Sequence, residues 1–151
     1  MKALIQRVRQ ASVTVEGSTV GQIGAGMLVL LGVANGDTAE EAAILARKIV
    51  NLRIFPDENG KMNRSIGQIG GAILAVSQFT LLANCRHGNR PDFFASAPPA
   101  VANELYETFK KMVAAEGIPT QSGIFGADMQ VALVNDGPVT ILLDTDALKS
   151  K

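Results

Sequence analysis

The sequence has no tryptophan, one tyrosine, one cysteine and one histidine in 151 residues. A lone cysteine, Cys85, excludes an internal disulfide framework and an all-cysteine metal cage. A lone histidine, His87, leaves no second imidazole for a two-histidine metal site. Charge of one sign is also missing: Lys plus Arg and Asp plus Glu both count 14, so the formal charge is zero. The global basic excess of many nucleic-acid-binding domains is therefore absent. A local patch still acts, over roughly 10 Å at ordinary salt. No apolar run approaches the ~20 residues of a membrane-spanning helix, so no membrane partner is expected. The opening Met1-Lys2-Ala3-Leu4-Ile5-Gln6-Arg7 meets charge too early for a secretory leader. Nor is there a Gly-x-Ser-x-Gly elbow, a phosphate loop ending in Lys-Ser/Thr, a His-Glu-x-x-His or a Cys-x-x-Cys. These absences predict a cytoplasmic protein that uses no metal and no cofactor; if it is an enzyme, its chemistry is light or its substrate assists.

What is present is ordinary for a packed domain: 47% hydrophobic and 19% charged residues, in a length that suits one domain over 1–151. No repeat, linker or low-complexity tail interrupts it. Leu4, Gln6 and Val8 alternate with Ile5 and Arg7 as in a strand. Ser12-Val13-Thr14-Val15 reads as a second strand, closed by the turn Glu16-Gly17-Ser18, with residues 20–23 pairing back. Residues 27–33 are almost wholly apolar, as expected of a strand buried on both faces.

Thr38-Ala39-Glu40-Glu41 has the form of a capping box. The helix it opens aligns Ala42, Leu45, Ala46, Ile49 and Leu52 on one stripe. Ile54-Phe55 returns to a strand, and residues 72–82 read as a central strand that carries Ser77, Gln78 and Thr80 inside it. Pro98-Pro99 introduce a second helix with the apolar face Val101, Leu105, Phe109, Met112 and Val113, ended by Gly117 and Pro119. Two closing strands, residues 129–134 and 139–143, are expected either side of Asn135-Asp136-Gly137-Pro138. The sum is an α/β domain, α+β-like, with mixed β-sheet and two helices.

Three segments carry candidate chemistry. Ser77-Gln78-Phe79-Thr80-Leu81 puts polar side chains between apolar flanks, where each buried unpaired group costs ~1–3 kcal/mol. Either they lie on a half-exposed strand, or the Thr80 hydroxyl and nearby backbone N–H groups hold a carbonyl under attack. Asn135-Asp136-Gly137-Pro138-Val139-Thr140 is either a hairpin turn or a cis Gly137-Pro138 whose carbonyls face one side as a rigid acceptor pair. Arg86-His87-Gly88-Asn89-Arg90-Pro91 is either a solvated loop or a phosphate contact, which Arg7, Arg9, Lys110 and Lys111 could extend. Cys85 reads as a small packing residue before it reads as a reactive thiol.

The two motifs, 77–81 and 135–140, resemble the signature motifs of the D-aminoacyl-tRNA deacylases, also called D-tyrosyl-tRNA(Tyr) deacylases. The resemblance covers nearly the whole chain, including Ala3-Leu4-Ile5-Gln6-Arg7-Val8, Lys48-Ile49-Val50-Asn51-Leu52-Arg53-Ile54-Phe55, Gly60-Lys61-Met62-Asn63 and residues 123–129. It implies a three-layer fold with the helices packed on one side of mixed sheet. It also implies hydrolysis of the ester between a D-amino acid and tRNA, with glycyl-tRNA mischarged on tRNA(Ala) as a further substrate and L-aminoacyl-tRNA rejected. The implied partners are the 3′ aminoacyl-adenosine end of tRNA and a second copy of the chain, in a homodimer with its active sites at the subunit interface.

In that picture Ser77, Gln78, Phe79 and Thr80 form the catalytic segment, with backbone N–H groups near Phe79 and Thr80 as oxyanion donors and the tRNA 2′-hydroxyl assisting. A cis Gly137-Pro138 enters the partner's pocket, flanked by Asn135 and Thr140, and holds the substrate's α-ammonium. Arg7 orients that motif, and Phe125 and Met129 line the pocket. The loop 84–90 departs from the family's more basic pattern at Asn89. An activated ester needs neither triad nor metal, which agrees with the missing motifs. A protein that binds the tRNA 3′ end without catalysis, and a dimeric metabolite-binding protein with no RNA role, are the other two readings.

Overall fold

The structure is a computed structural model and describes residues 1–150. The alternation at the start of the chain does not break where two strands were expected. It continues as one 14-residue strand, β1 (Lys2–Val15). Arg9, Gln10 and Ala11 contain no glycine or proline to turn the chain, so the strand runs on and changes partner instead. Its second half pairs with β2 (Ser18–Ile23) and its first half with β3 (Gly26–Gly32), both antiparallel.

Thr38 caps α1 (Ala39–Asn51) with the expected capping box, and Ala42, Leu45, Ala46 and Ile49 are buried as the stripe predicts. A short hairpin follows, β4 (Phe55–Pro56) with β5 (Met62–Arg64). The strand expected over residues 72–82 is shorter. β6 (Ala72–Ser77) ends where the polar residues begin, and a 3₁₀ turn (Phe79–Leu82) replaces its second half. Gln78, Phe79 and Thr80 thus leave the ladder, which relieves them of the cost of burial in a central strand.

Pro99 is the first residue of α2 (Pro99–Ala115), a position where the missing N–H is harmless. Its buried face is Ala102, Leu105, Tyr106, Phe109 and Val113. Val101, expected on that face, is 41% exposed because the helix is rotated toward Ala102 and Tyr106. After β7 (Thr120–Ser122), the expected terminal hairpin is absent. One strand, β8 (Gln130–Asp144), runs the length of β1 in antiparallel pairing. A third helix, α3 (Thr145–Lys149), is capped by Asp144.

The sheet order is β2-β1-β3-β6-β7, with β8 on the other edge of β1 and β3, β6 and β7 mutually parallel. Its two faces have separate cores. Ala3, Ile5, Met27, Val29, Leu31, Ile73 and Ala75 face α1 and α2. Val8, Val13, Leu28, Leu74 and Val76 form the other core, with Met129, Val131 and Leu133 against it. The parallel start of β3 beside β6 requires glycine: a Cβ on Gly26, at φ +156°, would overlap the Ala72 backbone. The described residues contain no helix long and apolar enough to cross a membrane.

Candidate active site

A hollow of about 720 Å³ opens where β6 passes into the 3₁₀ turn. Ser77, Gln78 and Phe79 form one wall, and Phe125 and Met129 another. Thr80 is exposed and outside the lining, and its Oγ1 accepts a hydrogen bond from Gln78 Nε2. Gln78 N–H donates to Leu31 O at 2.8 Å, which ties the turn to β3. The N–H groups of Phe79 and Thr80 donate to no acceptor among the described residues. Unpaired donors are what the first residues of a helical turn leave over, and here the two belong to the site segment. A carbonyl oxygen that becomes negative could be held by such a pair.

Sequence reasoning missed much of the remaining wall. Phe93 meets Phe79 edge-on with ring centroids 4.9 Å apart, and fixes the side chain that stands over the mouth. Tyr106 is almost fully buried behind it and donates to Ala75 O at 2.8 Å. Burial pushes the Tyr106 phenol up to about 12, so it is neutral at physiological pH and has a proton to donate. Lys110 Nζ lies 4.7 Å from the Tyr106 ring centroid. The helical spacing of Ala102, Leu105, Tyr106 and Phe109 is the signal that could have located Tyr106. Phe93 lies in a loop with no periodicity to reveal it.

The second motif is elsewhere on the chain. Asn135 is opposite Val8 and Thr140 opposite Gln6, so five steps along β8 span two along β1 and residues 136–139 bulge outward. The Gly137-Pro138 peptide bond is cis, and both residues are exposed. Two side chains hold the bulge. Asn135 Nδ2 donates to Arg7 O at 3.0 Å and to Val139 O at 3.1 Å, pinning its two ends. Arg7 Nε donates to Asp136 O at 2.8 Å while a terminal guanidinium nitrogen donates to Ile54 O at 2.6 Å. The Asp136 carboxylate adds ion pairs to Arg7 at 3.4 Å and Arg9 at 3.8 Å. Thr140 Oγ1 accepts from Gln6 Nε2 at 3.2 Å.

The structure therefore gathers the predicted residues into two groups rather than one. Ser77, Gln78, Phe79, Phe125 and Met129 line the hollow; Arg7, Asn135, Gly137, Pro138 and Thr140 do not. Val131, which lines the hollow, pairs with Val13, and Asn135 pairs with Val8. Along β1 the partners of Val131 and Asn135 are five residues apart, about 17 Å at about 3.3 Å each. Of the other candidates, Cys85 is exposed, which corrects its reading as a packing residue, and the whole 86–90 loop is exposed with it. Among the described residues, no three His, Cys, Asp or Glu side chains come together as a metal-ligand set.

Comparison with known proteins bears on the same segments. The chain is 58% identical over 150 residues to a D-aminoacyl-tRNA deacylase of Geobacter sulfurreducens, covering 99% of both chains. It is 59% identical over 144 residues to one of Ruegeria pomeroyi, covering 95% of this chain and 99% of the other. Among solved structures, a c-Myc DNA unwinding element binding protein superposes with a TM-score of 0.89 at 46% identity, over 95% of this chain and 98% of that one. A probable eukaryotic D-amino acid tRNA deacylase shares the fold, with a TM-score of 0.78 at 19% identity. The family model described as D-Tyr-tRNA(Tyr) deacylase matches residues 4–144, which include both motifs, Arg7 and the residues that line the hollow, and the chain belongs to that family.

Proposed function

We propose that this protein is an aminoacyl-tRNA editing hydrolase. It cleaves the ester between a D-amino acid, or glycine, and the 3′ adenosine of tRNA, and leaves the L ester intact. Water adds to the ester carbonyl carbon, and the N–H groups of Phe79 and Thr80 hold the oxyanion. The carbon–oxygen bond to the ribose then breaks and the ribose oxygen takes a proton, releasing free D-amino acid and tRNA. The tRNA 2′-hydroxyl assists, and Thr80 supplies its N–H rather than its hydroxyl. No metal or cofactor enters this scheme, and the reaction belongs in the cytoplasm with its substrate.

The observation that carries the reading is the division of the site. The donor pair belongs to the segment that lines the hollow, and the exposed Gly137-Pro138 motif contributes nothing to that lining. Neither half can close over a substrate alone. Two copies joined in a homodimer supply both halves to each site: one protomer gives the hollow and its partner inserts Gly137-Pro138. The carbonyls then accept from the α-ammonium, and the bulk of the motif occupies the place of an L side chain. Such a clash discriminates more strongly than added attraction would. Val134 and Leu142, 44% and 59% exposed on β8, supply apolar surface that pairing would cover.

The test compares hydrolysis of D-tyrosyl-tRNA, L-tyrosyl-tRNA and glycyl-tRNA with EDTA present. Cleavage of the D and glycyl esters with survival of the L ester is expected. Binding of tRNA with no turnover of any ester would replace this reading with that of a 3′-end-binding protein.

A further inference from the structure

The formal charge of the whole chain is zero, but it is not evenly spread. Residues 47–64 carry Arg47, Lys48, Arg53, Lys61 and Arg64 against Asp57 and Glu58, a net +3, so the remainder carries −3. The acidic members are occupied at home. Glu58 pairs with Arg64 at 2.7 Å, and Asp57 accepts the N–H groups of Asn59 and Lys61. Arg47, Lys48, Arg53 and Lys61 form no ion pair among the described residues, and all four are exposed.

Three of these cations share a groove. Ile44, Arg47, Lys48 and Asn51 recur at helical spacing on the side of α1 turned away from Leu45 and Ile49, and Leu52, Arg53 and Leu148 complete the groove. Arg53 is held there, since its Nε donates to Asn63 O at 3.0 Å and leaves the end of its guanidinium to solvent. A cationic groove with one amide and no carboxylate in its lining suits the phosphodiester backbone of a nucleic acid, which positions a partner without reading its sequence.

The groove is joined to the site. Arg53 precedes Ile54, whose carbonyl shares the Arg7 guanidinium with the carbonyl of Asp136. The groove is thus linked to the Gly137-Pro138 bulge through Ile54 and Arg7, and shares no lining residue with the hollow of its own chain. We infer that the groove formed by Arg47, Lys48 and Arg53 holds tRNA phosphates while the 3′ end enters the partner protomer's hollow beside Gly137-Pro138. This rests on the deacylase and homodimer reading above. It divides the labour: one copy carries the RNA backbone and the other hydrolyses the ester.

The test uses the double variant R47Q/K48Q, which changes two exposed helix residues outside the catalytic segment. Hydrolysis is measured on D-tyrosyl-tRNA and on the D-tyrosyl ester of adenosine, which has no phosphate chain. Binding of uncharged tRNA is titrated against salt in parallel. For R47Q/K48Q the expected result is a loss of about ten-fold or more in kcat/KM on the tRNA ester, with a salt slope shallower by roughly 1.5. The adenosine ester is cleaved as by the wild type. Equal tRNA binding and equal slope in R47Q/K48Q would overturn the inference, as would equal losses on both esters. If the wild type cleaves neither ester, the deacylase reading fails, and the uncharged-tRNA titration still decides the groove.

Discussion

Replacing Arg7 with lysine isolates what the guanidinium does. Arg7 is on β1, with its side chain only 12% exposed, and it joins two carbonyls far apart in sequence, Asp136 O at 2.8 Å and Ile54 O at 2.6 Å. Lysine keeps the charge, but its ammonium is a single point on a flexible stem and does not reproduce the spread of the guanidinium. At least one bond is lost. A hydrogen bond from a charged group contributes about 1.5–3 kcal/mol, and a part-buried carbonyl left unpaired is the larger share of that cost. For a domain of this length each kcal/mol moves Tm by about 2–4 °C, so Arg7→Lys is expected to lower Tm by about 3–12 °C. The assay is thermal unfolding by circular dichroism, run beside kcat/KM on D-tyrosyl-tRNA. Activity is expected to fall as well, because the residue that loosens is Asp136, next to the Gly137-Pro138 motif proposed to enter the partner's hollow. A Tm within 1 °C of wild type with unchanged kcat/KM would refute the view that Arg7 holds the bulge.

Gly137→Ala puts a Cβ into Asn135 Oδ1 and brings it 3.1 Å from Val139 N, so Asn135 must release the bulge. The expected outcome is weakened capture of D-aminoacyl-tRNA, read as a raised KM, and unchanged kinetics would count against the motif as an acceptor. Thr80→Ala is expected to keep activity within about ten-fold, since only its N–H is assigned a part. A loss of about 10⁴-fold, the scale of a removed nucleophile, would reverse that assignment. Glu41 is held down at about 2 from 4.5, first by its hydrogen bond to Lys149 and then by the Thr38 N–H. The folded pKa is below the unfolded one, so this contribution is complete above about pH 4.5 and drains away as pH falls toward 2. Denaturant titrations of wild type and Glu41→Gln should therefore differ most at pH 6 and by progressively less as pH falls from 4.5 toward 2, and a constant difference would contradict the linkage.

Much of the fold was legible because local rules and packing agreed. The capping box at Thr38 and Glu41, the α1 stripe, the doubly buried β3 and the Pro99 helix start each follow from spacing and side-chain chemistry over a few residues. The two motifs were legible too, as segments whose polarity or turn residues did not suit their surroundings. Resemblance assigned them to one site.

The rest depended on partners that no short window contains. The expected break in β1 vanished because its halves find different neighbours, β3 and then β2, on one edge. The expected terminal hairpin became one strand because β1 offers both halves of β8 a continuous edge, and the surplus residues 136–139 bulged outward instead of turning back. The strand over 72–82 ended at Ser77 because polar residues there gain more from a 3₁₀ turn at the surface than from a central ladder.

The sequence by itself determined the secondary-structure chemistry, the family motifs and the want of triad or metal ligands. Only the tertiary structure decided that the second motif stands outside the hollow lined by the first, that Arg7 couples the bulge to Ile54, and that Arg47, Lys48 and Arg53 share a groove. Those facts are set by strand register and by contacts between residues more than 40 positions apart in the chain, such as Arg7 with Ile54 and Asp136, and periodicity carries no information about them.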